Sequence, residues 1–333
     1  MVPPNLSWLT SEVEETNNDS SIVHLAQMWA KKYVRNLTSD QNLVHLPMGC
    51  LSVAQKLQEF LRPASIQAWH KTENLISKEL QRHQINPKLV DPWQIAEDSF
   101  RVFEKTIEVY AKQYTPQRLS TIISGDVGNI RKKYTKHDPR IIGFVSMQFH
   151  HTGRILLSGM ADSEHKLLSQ YFKVIDDHLY MPLQRAYEGA ARYEYNSPIL
   201  KVVQKLLPVS GEIATKICNR VIDLYPNYST YSGSLSEPAV KIASIRDVEM
   251  FQVYLWVCVL EQSIAAVQQE LFPLAVMLYP TLKVRWELVR QMIHLLKYEI
   301  YSRLGAEELS LFTPYLQVLW EMFSPEIFPD TLA

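Results

Sequence analysis

The sequence predicts an all-α protein, a multi-helix bundle of about eleven or twelve helices with a buried central helix in its C-terminal half. Three observations carry that expectation. Apolar residues recur at three and four positions along most of the 333 residues, as in Ile95, Phe103, Ile107 and Tyr110, and no stretch shows strand alternation. Only ten glycines are present, about half of what an average usage near 7% would give. Acceptor–proline pairs then punctuate the chain at Asp91-Pro92, Thr115-Pro116, Asp138-Pro139 and Ser197-Pro198. Each fits an N-cap side chain followed by Pro at the first helical position, where its missing N–H costs nothing.

In chain order, residues 1–19 are polar and acidic and are expected to be frayed. Residues 20–137 form an N-terminal helical region whose first stripe is Ile22, Leu25, Trp29 and Tyr33. The segment KKYTKHDP, Lys132 to Pro139, is the best boundary, and residues 138–333 form a C-terminal helical bundle. Gly125-Asp126-Val127-Gly128 reads as a loop or a helix break. Val209-Ser210-Gly211 resembles a staple and N-cap ahead of the stripe Ile213, Ile217, Val221. Pro226 to Pro238 is turn-rich and belongs at the surface. A helix from about Ser244 to Leu271 follows, with Asp247 as a first-turn acid suited to the helix dipole. Because Val253 to Leu260 is apolar on nearly all sides, this helix is expected at the centre of its neighbours. Thr281 to Leu304 forms the next helix, stopped by Gly305, and Ala306 to Phe323 the last, with Pro314 near its start or bending it.

Composition narrows the function classes. The formal charge is −1, and 17 basic residues against 15 acidic up to Asp138 show no single-sign field, so nucleic acid is not an expected partner. Cys50, Cys218 and Cys258 are widely spaced and read as reduced thiols in a cytoplasmic protein. The amino terminus lacks the features of a secretory signal. The longest strongly apolar stretch, Val253 to Leu260, is far short of the ~20 residues that span a bilayer. GxSxG, HExxH, Walker and dinucleotide-binding patterns are missing.

Two polar knots could form a metal site: FVSMQFHHTGR, Phe144 to Arg154, and IDDHLYMP, Ile175 to Pro182. Helical neighbours point about 100° apart, so His150 and His151 cannot easily share one ion. His151 falls on the apolar stripe of Met147 and Ile155, and His150 on a more polar face. The candidate metal ligands are therefore His150, Asp176, Asp177 and His178, brought together if Pro182 bends the second helix. The plainer reading is a half-buried histidine and a solvated acidic flank.

A contact surface is the second candidate. Arg131, Lys132, Lys133 and Tyr134 form a basic segment with an aromatic ring, and Tyr228 and Tyr231 sit in the turn-rich loop. Third, Tyr254, Trp256, Cys258, Trp286 and His294 fall on helices expected to be neighbours and could line a pigment pocket, although such stripes more often belong to a core.

The stretches HHTGRILLSG, DDHLYMPLQRAYEGAA and SIRDVEMFQVYLWVCVLEQSIAAVQQELFPL resemble an uncharacterised all-helical protein family associated with cyanobacteria. The resemblance runs from about Asp138 to the C-terminus. It brings no activity, cofactor or catalytic residue with it, and implies only a photosynthetic bacterial setting. With no catalytic constellation legible, the leading expectation is a non-catalytic cytoplasmic adaptor or regulatory protein acting through protein partners. The alternatives are a binder of an apolar, tetrapyrrole- or carotenoid-like molecule inside the bundle, and a metal-dependent enzyme at the His/Asp site. Cofactor and oligomeric state are left open.

Overall fold

The computed structural model describes residues 25–32 and 49–329; the expectation for residues 1–19 lies outside them. A helical stretch at 25–32 is followed by α1 (Cys50–Arg82), α2 (Pro92–Ala111), α3 (Pro116–Thr135), α4 (Ile141–Ser158), α5 (Asp162–Tyr180), α6 (Leu183–Ala190), α7 (Pro198–Leu206) and α8 (Ser210–Leu224). After β1 (Ser229–Thr230) and β2 (Gly233–Ser234) come α9 (Pro238–Glu261), a π-turn (Ala266–Leu271), α10 (Phe272–Thr281), α11 (Trp286–Tyr301) and α12 (Ala306–Met322). The all-α expectation holds, with twelve helices after the first stretch among the described residues.

Two of the four acceptor–proline pairs cap as expected; Ser197 precedes Pro198 without a side-chain cap bond, and α4 starts at Ile141 behind Arg140, so Pro139 lies ahead of it. The Asp91 carboxylate accepts from the Trp93 and Gln94 amides and the Thr115 hydroxyl from the Arg118 amide, each just ahead of its helix. The two strands form one antiparallel hairpin within the expected loop, pairing Ser229 with Ser234 and Thr230 with Gly233. Gly233 has φ +122, open to glycine and costly for other residues. The Tyr231 amide donates to the Leu282 carbonyl at 2.9 Å, which ties the hairpin to the turn before α11.

At the centre lies α9, buried at every position from Val248 to Leu260 and packed by α6, α7, α8, α12 and the π-turn. Its bounds differ from expectation at both ends. Pro238 starts it, two turns before Ser244, and Gln262 in the left-handed region (φ 50, ψ 41) ends it at Glu261. The expected 281–304 helix begins only at Trp286, after Lys283 with φ 56. Gly305 is the N-cap of α12 and not a stop signal, because the Glu308 carboxylate reaches back to its amide at 2.8 Å. Gly128, expected in a break, lies inside α3, where a Cβ would stand 2.6 Å from Gln184 Cβ on α6; the missing side chain permits that close approach.

On the N-terminal side α1 packs along α2 and α4, while α5 packs against α3 and α4. One continuous apolar core includes Leu57 and Ile107 as well as Leu255 and Leu296.

Candidate ligand cavity

A cavity of about 480 Å³ opens between α4, α5, α9, α10 and the hairpin. Phe172, Met250, Leu271, Leu274 and Leu278 give it apolar walls, while charged groups come from α4, α5 and α9. The sequence builds this division by placing polar residues on the helix faces that turn away from the core stripes. Along α5, Lys173, Asp176 and Asp177 flank Phe172 and Ile175; on α9, Arg246 and Asp247 stand just ahead of the fully buried run.

His150 Nδ1 lies 3.3 Å from Asp176 Oδ2, and Arg246 reaches the same oxygen at 3.4 Å. The Arg246 guanidinium also lies over the Tyr180 ring, 3.8 Å from its centroid, a favourable cation–π placement. Burial alone would raise the Asp176 carboxyl, but the His150 hydrogen bond and the charges of His150, Arg246 and Lys173 prevail and hold it below the usual range. Asp177 receives the Lys173 ammonium at 2.8 Å on both oxygens. Burial outweighs that contact, and the Asp177 carboxyl is raised. Lys173 also lies 3.7 Å from Glu249, which binds Lys32 at 2.6 Å. Signs thus alternate along Lys32, Glu249, Lys173 and Asp177, compensating four groups that would be costly to bury alone.

Three polar groups at the cavity stand outside this pairing. Arg246 Nε is buried without a hydrogen-bond partner among the described residues, and the buried Tyr180 hydroxyl has only the Arg246 side chain nearby. Asp247 faces the cavity with no hydrogen bond or ion pair among the described residues. Burial pushes its carboxyl up to about 6, against the lowering charge of Arg246. A buried polar group without a partner costs about 1–3 kcal/mol, so groups of this kind mark places that a ligand or water completes.

The four expected metal ligands do not converge. His150 and Asp176 meet, whereas Asp177 pairs with Lys173, and His178 turns inward. One His178 ring nitrogen lies 2.8 Å from the Val174 carbonyl and the other 3.3 Å from Ser120 Oγ. Successive helical residues point about 100° apart, and that separates the DDH triplet as it separates the two histidines. Pro182 ends α5 and admits α6 without folding the triplet onto one face. Among the described residues, no group of three or more His, Cys, Asp or Glu could hold a metal ion.

Of the six expected contact residues, Arg131, Tyr134 and Tyr228 are turned inward, while Lys132, Lys133 and Tyr231 are exposed. Arg131 is buried, donating to the Leu179 carbonyl and at 3.0 Å to the Tyr254 hydroxyl, and pairing with Glu270. Tyr134 is buried with its hydroxyl on Asp98 at 2.7 Å, and Lys133 meets the same carboxylate at 2.6 Å. Lys132 pairs with Glu188 at 2.6 Å. Tyr228 is buried, donating to the Lys283 carbonyl and accepting from the Arg285 amide; Tyr231 remains exposed. The aromatics expected to line a pigment pocket pack elsewhere: Trp256 meets Trp29 edge-on at 6.0 Å, and Trp286 stacks on Phe328 at 3.9 Å.

Arg246, Asp247, Tyr180 and Arg154 were not singled out as site residues by the sequence. The available signal was an Arg-Asp pair just before a fully apolar helical run, disguised by its apparent place in a first turn. No helix among the described residues is long and apolar enough to cross a membrane. Residues 170–322, just under half of the chain, match a family model described as Phycobilisome protein. No curated protein and no solved structure matches the chain. The matched segment carries Asp176, Tyr180, Arg246 and Asp247, whereas His150, Arg154 and His165 precede it.

Proposed function

We propose that the chain binds a linear tetrapyrrole, or a flat amphipathic pigment of similar chemistry, non-covalently in the cavity between α4, α5, α9 and α10. The observation that carries this reading is Asp247, a carboxylate without a partner in a cavity with apolar walls. A ring system bearing N–H groups would donate to it and lay its faces against Phe172, Leu274 and Leu278. Such a ligand would supply visible absorption; the chain's own part is to accept its N–H groups, exclude water and fix its shape. The volume lies within the ~300–1,000 Å³ typical of small-molecule sites.

The likeness of residues 170–322 to phycobilisome proteins, a family of bilin-carrying light-harvesting subunits, supports this reading. No cysteine lines the cavity among the described residues. Burial raises the thiols of Cys218 and Cys258 to about 12 and 11, far from nucleophilic thiolates, so the hold is non-covalent. Purification from a host that makes linear tetrapyrroles tests it. The expected result is a visible band that co-elutes with the protein; a colourless protein sinks the reading.

The expectation of an adaptor has one observation of its own. Trp93 is 83% exposed and Ile66 62%. Ile66 stands on α1 and Trp93 at the start of α2, two helices that pack together. Exposed tryptophan and large aliphatic side chains are characteristic of protein contacts. If Trp93→Ala alters neither oligomeric state nor the set of co-purifying proteins, this second reading fails.

A further inference from the structure

Two side chains one turn apart tie the helical stretch at 25–32 to the C-terminal half. Trp29 is fully buried and meets Trp256 of α9 edge-on. The Lys32 ammonium lies 4.1 Å from the Trp29 ring centroid and meets Glu249 at 2.6 Å. Gly211, at the start of α8, leaves room for that pair: a Cβ there would stand 3.2 Å from Glu249 Oε1 and 3.3 Å from Lys32 Cε. An isolated helix in water needs about 12–15 residues to be stable, so this shorter stretch is helical because it is seated. Trp29 and Lys32 precede residues 170–322, so the contact is not contained in the matched segment.

Glu249 has a second cation within reach. Lys173 holds both oxygens of Asp177 at 2.8 Å and stands 3.7 Å from Glu249. Taking Lys32 away from a buried carboxylate would ordinarily leave an uncompensated charge, which is strongly destabilising. Here Lys173 can pass to Glu249, and the group left over is Asp177. Its surroundings carry Lys173 on its own helix, Glu249 and Arg246 on α9, Lys32 on the stretch and Tyr187 on α6. Burial already raises the Asp177 carboxyl, whereas at Glu249 the charges of Lys32 and Lys173 outweigh burial and hold the carboxyl below the usual range. The proton therefore goes to Asp177. Lys173 with Glu249 and a neutral Asp177 then carry no net charge, as the seated quartet carries none.

We infer that residues 25–32 form a releasable strap governed by an exchange of partners: Lys32 leaves Glu249, Lys173 replaces it, and Asp177 takes up one proton from solvent. Acid loosens the strap, and the ratio of released to seated chain rises about tenfold for each pH unit of acidification. Release bares the edge of Trp256, so the strap is a pH-sensitive cover on the central helix.

Spin labelling of the full chain tests this. All three cysteines are buried, so one introduced at Gln27, exposed on the strap, takes a nitroxide selectively. A second labelled variant at Gln58, exposed on α1, reports on the body of the fold. Paramagnetic resonance from about pH 8 to about pH 5 should show the strap label immobile at first and then released at about tenfold per unit, with the Gln58 label unchanged. Asp177→Asn removes the charge that holds Lys173, and should free the strap at pH 8 and abolish its pH dependence. Lys173→Met leaves Glu249 without a second cation and should cut release about a hundredfold. A strap label that stays immobile throughout, that loosens on raising the pH, or that loosens only together with the Gln58 label overturns the inference. So does a Lys173→Met variant whose strap releases more readily than that of the wild type. Should either variant fail to fold, the wild-type titration alone decides.

Discussion

Replacing Asp247 with Asn should move stability and ligand affinity in opposite directions. The carboxyl is raised from 3.8 to about 6 in the folded chain, so between those values the folded state holds its proton more tightly than the unfolded state. The ionised group therefore burdens the fold at pH 7, and the burden disappears as pH falls from about 6 to 4. A shift of two units corresponds to about 3 kcal/mol at full burial. Asp247 is half-buried beside an open cavity, where water screens it, so the expected gain for Asp247→Asn at pH 7 is ~1–3 kcal/mol. Urea unfolding at pH 7 and pH 4.5 measures it, and the gain should shrink at the lower pH. Binding should show the reverse, since losing hydrogen bonds to a charged acceptor costs ~1.5–3 kcal/mol, or about ten- to 150-fold in affinity. In the wild type, affinity should decline as pH drops through 6 and Asp247 takes up its proton. A variant that is less stable at pH 7 and binds pigment normally would refute the reasoning, because Asp247 would then be a satisfied structural carboxylate.

Three further outcomes follow from the packing. Burial pulls His178 down to about 4 from 6.5, so its own contribution to stability is complete above pH 6.5 and up to ~3 kcal/mol of it is lost as pH falls toward 4; His178→Gln should remove that component of the slope in urea titrations, and an unchanged slope would contradict the buried, neutral ring. Gly128→Ala should lower stability by ~1–3 kcal/mol through overpacking on Gln184, whereas Gly125→Ala, which has open space in the same helix, should raise it by up to ~1 kcal/mol; thermal melts that move together would refute the close approach of α3 and α6. Ser244→Cys places a thiol on the cavity wall, one turn before Asp247. Bound pigment should slow its reaction with a thiol reagent several-fold, whereas an unprotected thiol would place the ligand elsewhere.

Local chemistry was legible and long-range closure was not. Asp91 and Thr115 cap the helices that their proline partners announce, and the apolar run from Val253 to Leu260 is the buried centre. The helix expected from Ser244 starts at Pro238, since a proline is as much at home as the first residue of a helix as at the end of a loop. That shift turned Arg246 and Asp247 into first-turn residues and hid the cavity they face. Arg131 could not be read correctly from its neighbours, because its partners Tyr254 and Glu270 are 123 and 139 residues away. His150 is the member of its pair that reaches an acid. Its meeting with Asp176 was anticipated as metal ligation, but the third group at that carboxylate is Arg246, a cation.

An equilibrium titration of the purified full chain with a linear tetrapyrrole, read by visible absorption and followed by denaturation in acidic urea, puts the cavity to the test. The expected result is saturation at one pigment per chain, with all pigment released from the polypeptide on unfolding. A spectrum that never saturates, or pigment that stays on the unfolded chain, would contradict a non-covalent site at Asp247.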